Sequence, residues 1–137
     1  MNDNAQAPEE TPGPEVVELA GRLFDFARGG DAAALAAYVD AGVPANLSND
    51  RGDTLVMLAA YHGHAEAVRA LLARGADADR PNDRGQTPLA GAVFKGEDDV
   101  ITALLDGGAD PAAGAPSAIE TARMFGRDEL VARFGVN

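Results

Sequence analysis

Two histidines separated by a single glycine, His62 and His64, form the pair in this sequence most suggestive of metal chemistry. Neutral imidazole is a common zinc ligand, but a zinc site needs at least three protein ligands. The sequence contains no third histidine and no cysteine. Without cysteine it can form neither a thiolate site nor a disulfide. We therefore expect no metal site and no cofactor.

Other residue types that could carry chemistry also lack a supporting pattern. The run Glu97-Asp98-Asp99 could attract a cation, but three acids at the start of a helix are already explained by the helix dipole. Neither serine, Ser48 or Ser117, lies in a G-x-S-x-G elbow. No glycine motif of the phosphate-binding type occurs. An enzyme with an unrecognised site is thus the least favoured class of function.

The sequence is instead organised by an internal repeat of thirty-three residues. The segment 49–81 reads NDRGDTLVMLAAYHGHAEAVRALLARGADADRP, and the segment 82–114 reads NDRGQTPLAGAVFKGEDDVITALLDGGADPAAG. Self-similarity at a period of this size is typical of stacked repeat proteins. Thirteen aligned pairs are identical: Asn49/Asn82, Asp50/Asp83, Arg51/Arg84, Gly52/Gly85, Thr54/Thr87, Ala59/Ala92, Gly63/Gly96, Ala70/Ala103, Leu71/Leu104, Leu72/Leu105, Gly75/Gly108, Ala76/Ala109 and Asp77/Asp110.

The order of these residues, G-x-T-P-L followed by A, G and then V/I-x-x-L-L-x-x-G-A-D, resembles the ankyrin repeat. The resemblance implies an all-α solenoid of about four helix-turn-helix units joined by short hairpin-like loops. It is strongest over residues 49–110. The histidine of the family's T-P-L-H motif is replaced by Met57 and Ala90. Because that histidine helps to tie neighbouring loops in ankyrin repeats, we expect a less stiff stack.

The repeat frame predicts the domain organisation. Residues 1–13 are acidic and proline-bearing and are expected to form a disordered tail. An ankyrin-repeat domain should follow over 14–137, with an N-terminal cap repeat (14–48), two regular repeats (49–81 and 82–114) and a C-terminal cap repeat (115–137). First helices are predicted at about 55–62 and 88–95. In the last repeat the frame fits only if three residues of the hairpin tip are deleted, which predicts a shorter tip. In the first helix the predicted apolar stripe includes Val16, Val17, Leu23 and Ala27.

Composition limits the choice of partner and compartment. A chain of 137 residues forms one domain. Its net charge of −11 argues against nucleic acid and anionic membranes, which both attract basic surfaces. No apolar run reaches about 18 residues and no signal-peptide layout is present, so we expect a cytoplasmic protein. Arginine outnumbers lysine ten to one in an alanine-rich sequence, which points to a bacterial gene.

The resemblance also implies where a partner would bind. Ankyrin repeats present a concave face made of hairpin tips and first helices. Tyr61, Phe94 and Phe125 lie at equivalent or adjacent frame positions and are predicted to form an aromatic row there. The two regular repeats and the caps place further contact positions at Asp25, Arg28, Asp50, Asp83, Gly91 and Met124. We predict the partner-binding residues to be Arg51, Asp53, Leu58, Tyr61, His62, Arg84, Gln86, Phe94, Lys95 and Phe125.

The sequence therefore predicts a monomeric, non-catalytic module that binds another protein. One alternative is a dedicated inhibitor, immunity or chaperone-like shield for a basic protein, suggested by the small size and the acidity. A second alternative is self-association through the ends of the solenoid, should a cap be less polar than its sequence suggests.

Overall fold

The computed structural model describes residues 13–135 and contains eight α-helices in four consecutive pairs. The predicted tail, residues 1–13, lies outside the described residues except for Gly13. Within the described range no strand forms, and two isolated bridges, Ser48 with Thr54 and Gly114 with Ser117, close the hairpin-like loops. The prediction of an all-α repeat solenoid is confirmed. The helices are α1 (Pro14–Gly29), α2 (Ala32–Asp40), α3 (Leu55–Tyr61), α4 (Ala65–Leu72), α5 (Pro88–Lys95), α6 (Asp98–Asp106), α7 (Ala118–Met124) and α8 (Asp128–Arg133).

Hydroxyl side chains start three of the four first helices. The Thr54 Oγ1 accepts a hydrogen bond from the Met57 amide (3.1 Å), and the Thr87 Oγ1 accepts one from the Ala90 amide (3.2 Å). Ser117 caps α7 in the same way. Each hydroxyl satisfies a backbone N–H that has no partner within its own helix. Since both threonines are buried, these caps fix where the helices begin within the stack.

Stacking of equivalent helices forms the core. The first helices α1, α3, α5 and α7 pack in one row, and the second helices α2, α4 and α6 pack in a parallel layer. Ala59, Ala92 and Ala122 occupy one frame position and are completely buried, so small side chains let adjacent first helices approach closely. Leu71 of α4 and Leu104 of α6 occupy one frame position and are completely buried in this core. Truncation of either leucine to alanine is expected to cost about 2–5 kcal/mol.

The N-terminal cap differs from the prediction at its apolar stripe. Val16 and Val17 are 58% and 57% exposed, whereas Leu23 and Ala27 are buried. The reason is length: α1 has 16 residues and α3 has 7. In the repeat frame the first residue of α3 corresponds to Arg22, so the first turns of α1, with Val16 and Val17, extend past its neighbour, whereas Leu19 still packs against the core.

The C-terminal end of the stack is built on a shorter loop. Gly114 bridges Ser117, three residues on, whereas in the complete loop Ser48 bridges Thr54, six residues on. α8 then ends at Arg133. Arg127 at its start donates to Asp98 of the preceding repeat (3.1 Å) and to Glu129 (2.7 Å). None of the helices in the part that the structure describes is long and apolar enough to cross a membrane.

Candidate functional site

A groove of about 400 Å³ opens between two tip loops, residues 48–54 and 81–87, and the first helices beside them. It contains seven of the ten side chains predicted to bind a partner: Arg51, Asp53, Leu58, Tyr61, His62, Arg84 and Gln86. The other three, Phe94, Lys95 and Phe125, lie outside its lining. The remaining lining residues are Arg28, Asn49, Asp50, Met57, Asn82 and Asp83.

One asparagine organises each tip loop. The Asn49 Oδ1 accepts hydrogen bonds from the amides of Arg51 (2.9 Å) and Asp53 (3.0 Å). The Asn82 Oδ1 accepts the equivalent pair, from the amides of Arg84 and Gln86. Asparagine is favoured in turns because its side chain can replace a backbone acceptor in this way. The same arrangement therefore presents Arg51 and Arg84 at the two tips.

Asn82 also connects the two loops to each other. Its Nδ2 donates to the Asp53 Oδ1 (2.8 Å) and to the Gln86 Oε1 (3.0 Å). The Asp83 amide donates to the Arg51 carbonyl (3.0 Å). These bonds join the neighbouring loops, a task to which the histidine of the T-P-L-H motif, absent from this sequence, contributes in ankyrin repeats. Sequence reasoning passed over Asn49 and Asn82 as site residues, although an asparagine three positions before a glycine is a recognisable turn signal.

Small and apolar residues form the floor of the groove. Leu58 is buried, with 7% of its surface exposed, so it shapes the floor more than it offers contact area. Gly91 lies beneath Met57 and Tyr61: a Cβ there would sit 3.1 Å from the Met57 Cε and 3.5 Å from the Tyr61 Cδ1. Because Gly91 has no side chain, Met57 and Tyr61 have room to pack at the floor of the groove.

Beside the groove lie two exposed aromatic side chains and a methionine: Phe94, Met124 and Phe125. We call these three residues the aromatic patch. These side chains are 57%, 66% and 52% exposed, and the two phenylalanine rings are 5.6 Å apart between centroids. Tyr61 does not extend this row with a free ring face, because the Lys95 Nζ lies over its ring, 4.8 Å from the centroid. The predicted aromatic row is thus divided into an exposed phenylalanine pair and a tyrosine covered by a cation.

The electrostatic environment of His62 reflects cations nearby. The pKa of His62 is lowered from its ordinary value of 6.5, first by partial burial and then by His64, Arg28 and Lys95. Burial and neighbouring positive charge both disfavour the protonated ring. His62 is therefore mainly a neutral hydrogen-bonding group at physiological pH, next to two permanent cations.

The second histidine of the pair has a different environment. His64 precedes α4, and its Nε2 donates to the Arg28 carbonyl of the previous repeat (2.7 Å). Its ring packs where a Cβ on Gly30 would otherwise lie. His64 thus joins two repeats. Within residues 13–135 no group of three or more histidine, cysteine or acidic side chains is arranged to hold a metal ion.

Ion pairs between repeats lie on the second helices, away from the groove. Arg69 pairs with Asp106 (3.2 Å) and Arg74 pairs with Asp40 (2.9 Å). All four side chains are substantially exposed. Because solvent screens such pairs, each is expected to contribute at most about 1 kcal/mol to stability.

Comparison with known proteins agrees with this architecture. Residues 23–114 match the family model of ankyrin repeats in three copies. The chain is also 46% identical over 59 residues to the ankyrin repeat protein PA3287 of Pseudomonas aeruginosa, covering 40% of this chain and 34% of that protein, so only about a third of the relative's length is represented. Ankyrin repeats are generally modules of protein–protein interaction and are typically not enzymes. With its repeats matched over most of its length, this chain belongs to the ankyrin-repeat family.

Proposed function

We propose that this protein binds a partner protein along the groove and the adjoining aromatic patch. The observation that carries the proposal is the exposure of Phe94, Met124 and Phe125 next to a groove of defined geometry. Lys95 joins the two regions, since it follows Phe94 in the chain and covers Tyr61, which lines the groove.

The exposed apolar side chains favour this surface as the site of partner binding. A single exposed apolar side chain needs no explanation, but large ones gathered beside a concave surface are typical of interaction sites. Aromatic anchors surrounded by polar residues supply most of the binding free energy in many interfaces. Here two phenylalanines and a methionine can serve as anchors. The ordered tip loops then place Arg51 and Arg84 at the rim.

A shield for a basic protein is the second candidate, and the acidity of the chain supports it. Residues 13–135 contain 19 acidic and 11 basic side chains, a net charge of −8. The groove does not share this excess, because Arg28, Arg51 and Arg84 balance its three aspartates. A basic partner would therefore find its complement on the second helices, where Glu66, Asp98 and Asp99 are exposed.

Quantitative capture from a lysate of the source organism tests the proposal. Wild-type protein should recover a specific partner, and Phe94→Ala/Phe125→Ala should recover at least tenfold less, on the order of the effect of removing two interface anchors. The matched control is Val16→Ala/Val17→Ala, which also removes two exposed apolar side chains, but on α1.

The control variant should capture as much partner as wild type does. Equal recovery by the phenylalanine variant would exclude the aromatic patch as the contact surface. If instead recovery falls steeply with salt and depends on Asp98 and Asp99, the shield on the acidic second helices becomes the better account, because exposed charge pairs are screened by ions.

A further inference from the structure

Charge is segregated on the inner face of the first helices. In the repeat frame one inward position holds Arg28, Tyr61, Phe94 and Met124, and the next position holds Gly29, His62, Lys95 and Phe125. Neither row contains a carboxylate. The predicted contact positions that do carry a carboxylate are Asp25, which is paired with Arg28 at 3.0 Å, and Asp50, Asp53 and Asp83 of the tip loops. This inner face therefore carries cations at Arg28 and Lys95 and apolar side chains at Phe94, Met124 and Phe125, within a molecule that is acidic overall.

Lys95 is the cation on which the expected charge preference depends most. Its ammonium lies on the Tyr61 ring and, among the described residues, forms no ion pair with a carboxylate. Contact with an aromatic face stabilises an ammonium only weakly at an exposed site. A carboxylate from a partner could bind Lys95 without first displacing a protein anion. The pKa of the neighbouring His62 is lowered first by burial, and then by His64, Arg28 and Lys95.

The tip loops carry charges of both signs. Arg51 and Arg84 are exposed and make no ion pair within residues 13–135, but Asp50 and Asp83 are exposed beside them. The Asp53 carboxylate is held by the Asn82 amide. The tips alone would accept a ligand of either sign, so the preference for one charge is decided by the inner face of the first helices.

The acidic remainder of the surface does not reverse this preference. Interactions between exposed charges fall off over about 8 Å at physiological ionic strength. Acids on the second helices lie on the other layer of the stack and are largely screened from Arg28 and Lys95. Local cations therefore dominate once a segment is seated, whereas the net charge influences only the approach.

We propose that the groove accepts an acidic segment of the partner protein, with carboxylates against Arg28 and Lys95 and a large apolar side chain on the aromatic patch. This inference rests on the proposed function and names the chemistry of the bound segment. It favours a partner opposite in charge to the one that the overall acidity suggests.

Three matched pools of synthetic peptides test the inference directly. The first alternates Asp and Glu with Phe and Leu, the second replaces the acids by Asn and Gln, and the third replaces them by Lys and Arg. Binding to the full chain is measured by fluorescence anisotropy at about 150 mM salt, where remote charges are screened. We expect the acidic pool to bind at least tenfold more tightly than either of the other pools.

Two charge-matched variants locate the site. Arg28→Gln/Lys95→Gln removes the two cations of the inner face and should weaken binding of the acidic pool roughly tenfold, as two modest charge contacts predict. Arg22→Gln/Arg80→Gln removes the same charge from exposed positions outside the groove and should change affinity less than twofold.

Each other result overturns the inference. Failure of the acidic pool to bind at about 1 mM, equal binding of the neutral pool, or equal loss in both variants would each contradict an acid-selective inner face. If the neutral or basic pool binds best and Phe94→Ala/Phe125→Ala abolishes that binding, the preference for acids is wrong while partner binding at the groove stands. If no pool depends on these phenylalanines, the proposed function fails as well.

Discussion

Asn82 is the residue on which the geometry of the groove most depends. Its carbonyl oxygen holds its own tip loop, and its amide group reaches Asp53 of the preceding loop. Asn49 makes only the first kind of contact. The two asparagines are therefore a natural internal comparison for the value of the connection between repeats.

We expect Asn82→Ala to lower the free energy of unfolding by about 1 kcal/mol more than Asn49→Ala does, since a hydrogen bond contributes roughly 0.5–1.5 kcal/mol. Both variants lose two bonds to loop amides, and Asn82→Ala also loses the bonds from its Nδ2 to Asp53 of the preceding loop and to Gln86 of its own loop. Urea denaturation of the two variants measures the difference. Equal destabilisation would mean that the link between loops contributes nothing.

His62 provides a titratable probe at the same site. Its pKa should lie below 6.5 and should rise in Lys95→Gln, because a nearby cation is removed, while partial burial keeps it below 6.5. The unfolded chain then binds more protons than the folded chain as pH falls through 6.5, so His62 makes folding less stable at lower pH.

Titration of the two histidine side chains by NMR measures this shift, with His62→Gln to assign the signals. Arg80→Gln serves as the control, because it removes a charge outside the groove. An unchanged His62 pKa in Lys95→Gln would remove Lys95 from the immediate surroundings of the ring.

At the scale of elements, the tip loops stack because glycine occupies one position in each. Gly52 and Gly85 have φ angles of 79° and 80°, which other residues rarely adopt. They differ in their surroundings. A Cβ on Gly52 would lie 2.5 Å from the Asp83 Oδ1 and 3.0 Å from the Asp83 amide nitrogen, whereas a Cβ on Gly85 would lie 3.4 Å from the Ala115 carbonyl oxygen.

Alanine at either position should destabilise the fold by about 1–2 kcal/mol because of the left-handed backbone. Gly52→Ala should cost about 1 kcal/mol more, since the neighbouring loop must move to admit the methyl group. Chemical denaturation of both variants provides the comparison. A smaller loss for Gly52→Ala than for Gly85→Ala would show that the loops are not in close contact.

The helices were largely predictable from sequence, and the exposure of their side chains was less so. Thr54 and Thr87 mark helix starts because a hydroxyl acceptor is required locally, which a sequence pattern can reveal. The ending of α3 at Tyr61 differs from the prediction by one residue. The exposure of Val16 and Val17 depends on the length of a neighbouring helix, which the periodicity of α1 does not contain.

The side-chain contacts within the groove were also less predictable from the sequence than the position of the groove. The repeat frame placed seven predicted residues along one groove, because equivalent positions share a face in a stacked array. It did not reveal that Lys95 covers Tyr61, since that contact depends on side-chain conformations across two repeats. Asn82 was likewise missed, because its second hydrogen bond joins residues that are distant in sequence.

At the scale of the whole molecule, stability is distributed along a short array in which each helix pair contacts only its neighbours. The two ends are therefore the places where self-association could start. The N-terminal end exposes Val16 and Val17, which a second copy could cover. Two valine side chains offer far less area than the roughly 800 Å² per partner of a standard interface, so we expect a monomer.

Light scattering coupled to size-exclusion chromatography should give the mass of one chain. Val16→Glu/Val17→Glu should leave that mass unchanged and alter the free energy of unfolding by less than about 0.5 kcal/mol per substitution, as is usual at exposed positions. A wild-type dimer that this variant converts to a monomer would instead support association through the N-terminal end.

The location of the binding surface is tested most directly by mapping amide chemical shifts of the labelled protein when the captured partner is added. We predict that the largest changes fall on the tip loops, residues 48–54 and 81–87, and around Tyr61, Phe94 and Phe125, with little change along α4 and α6. Changes concentrated on α4 and α6, with the groove unaffected, would contradict the proposal that the concave face binds the partner.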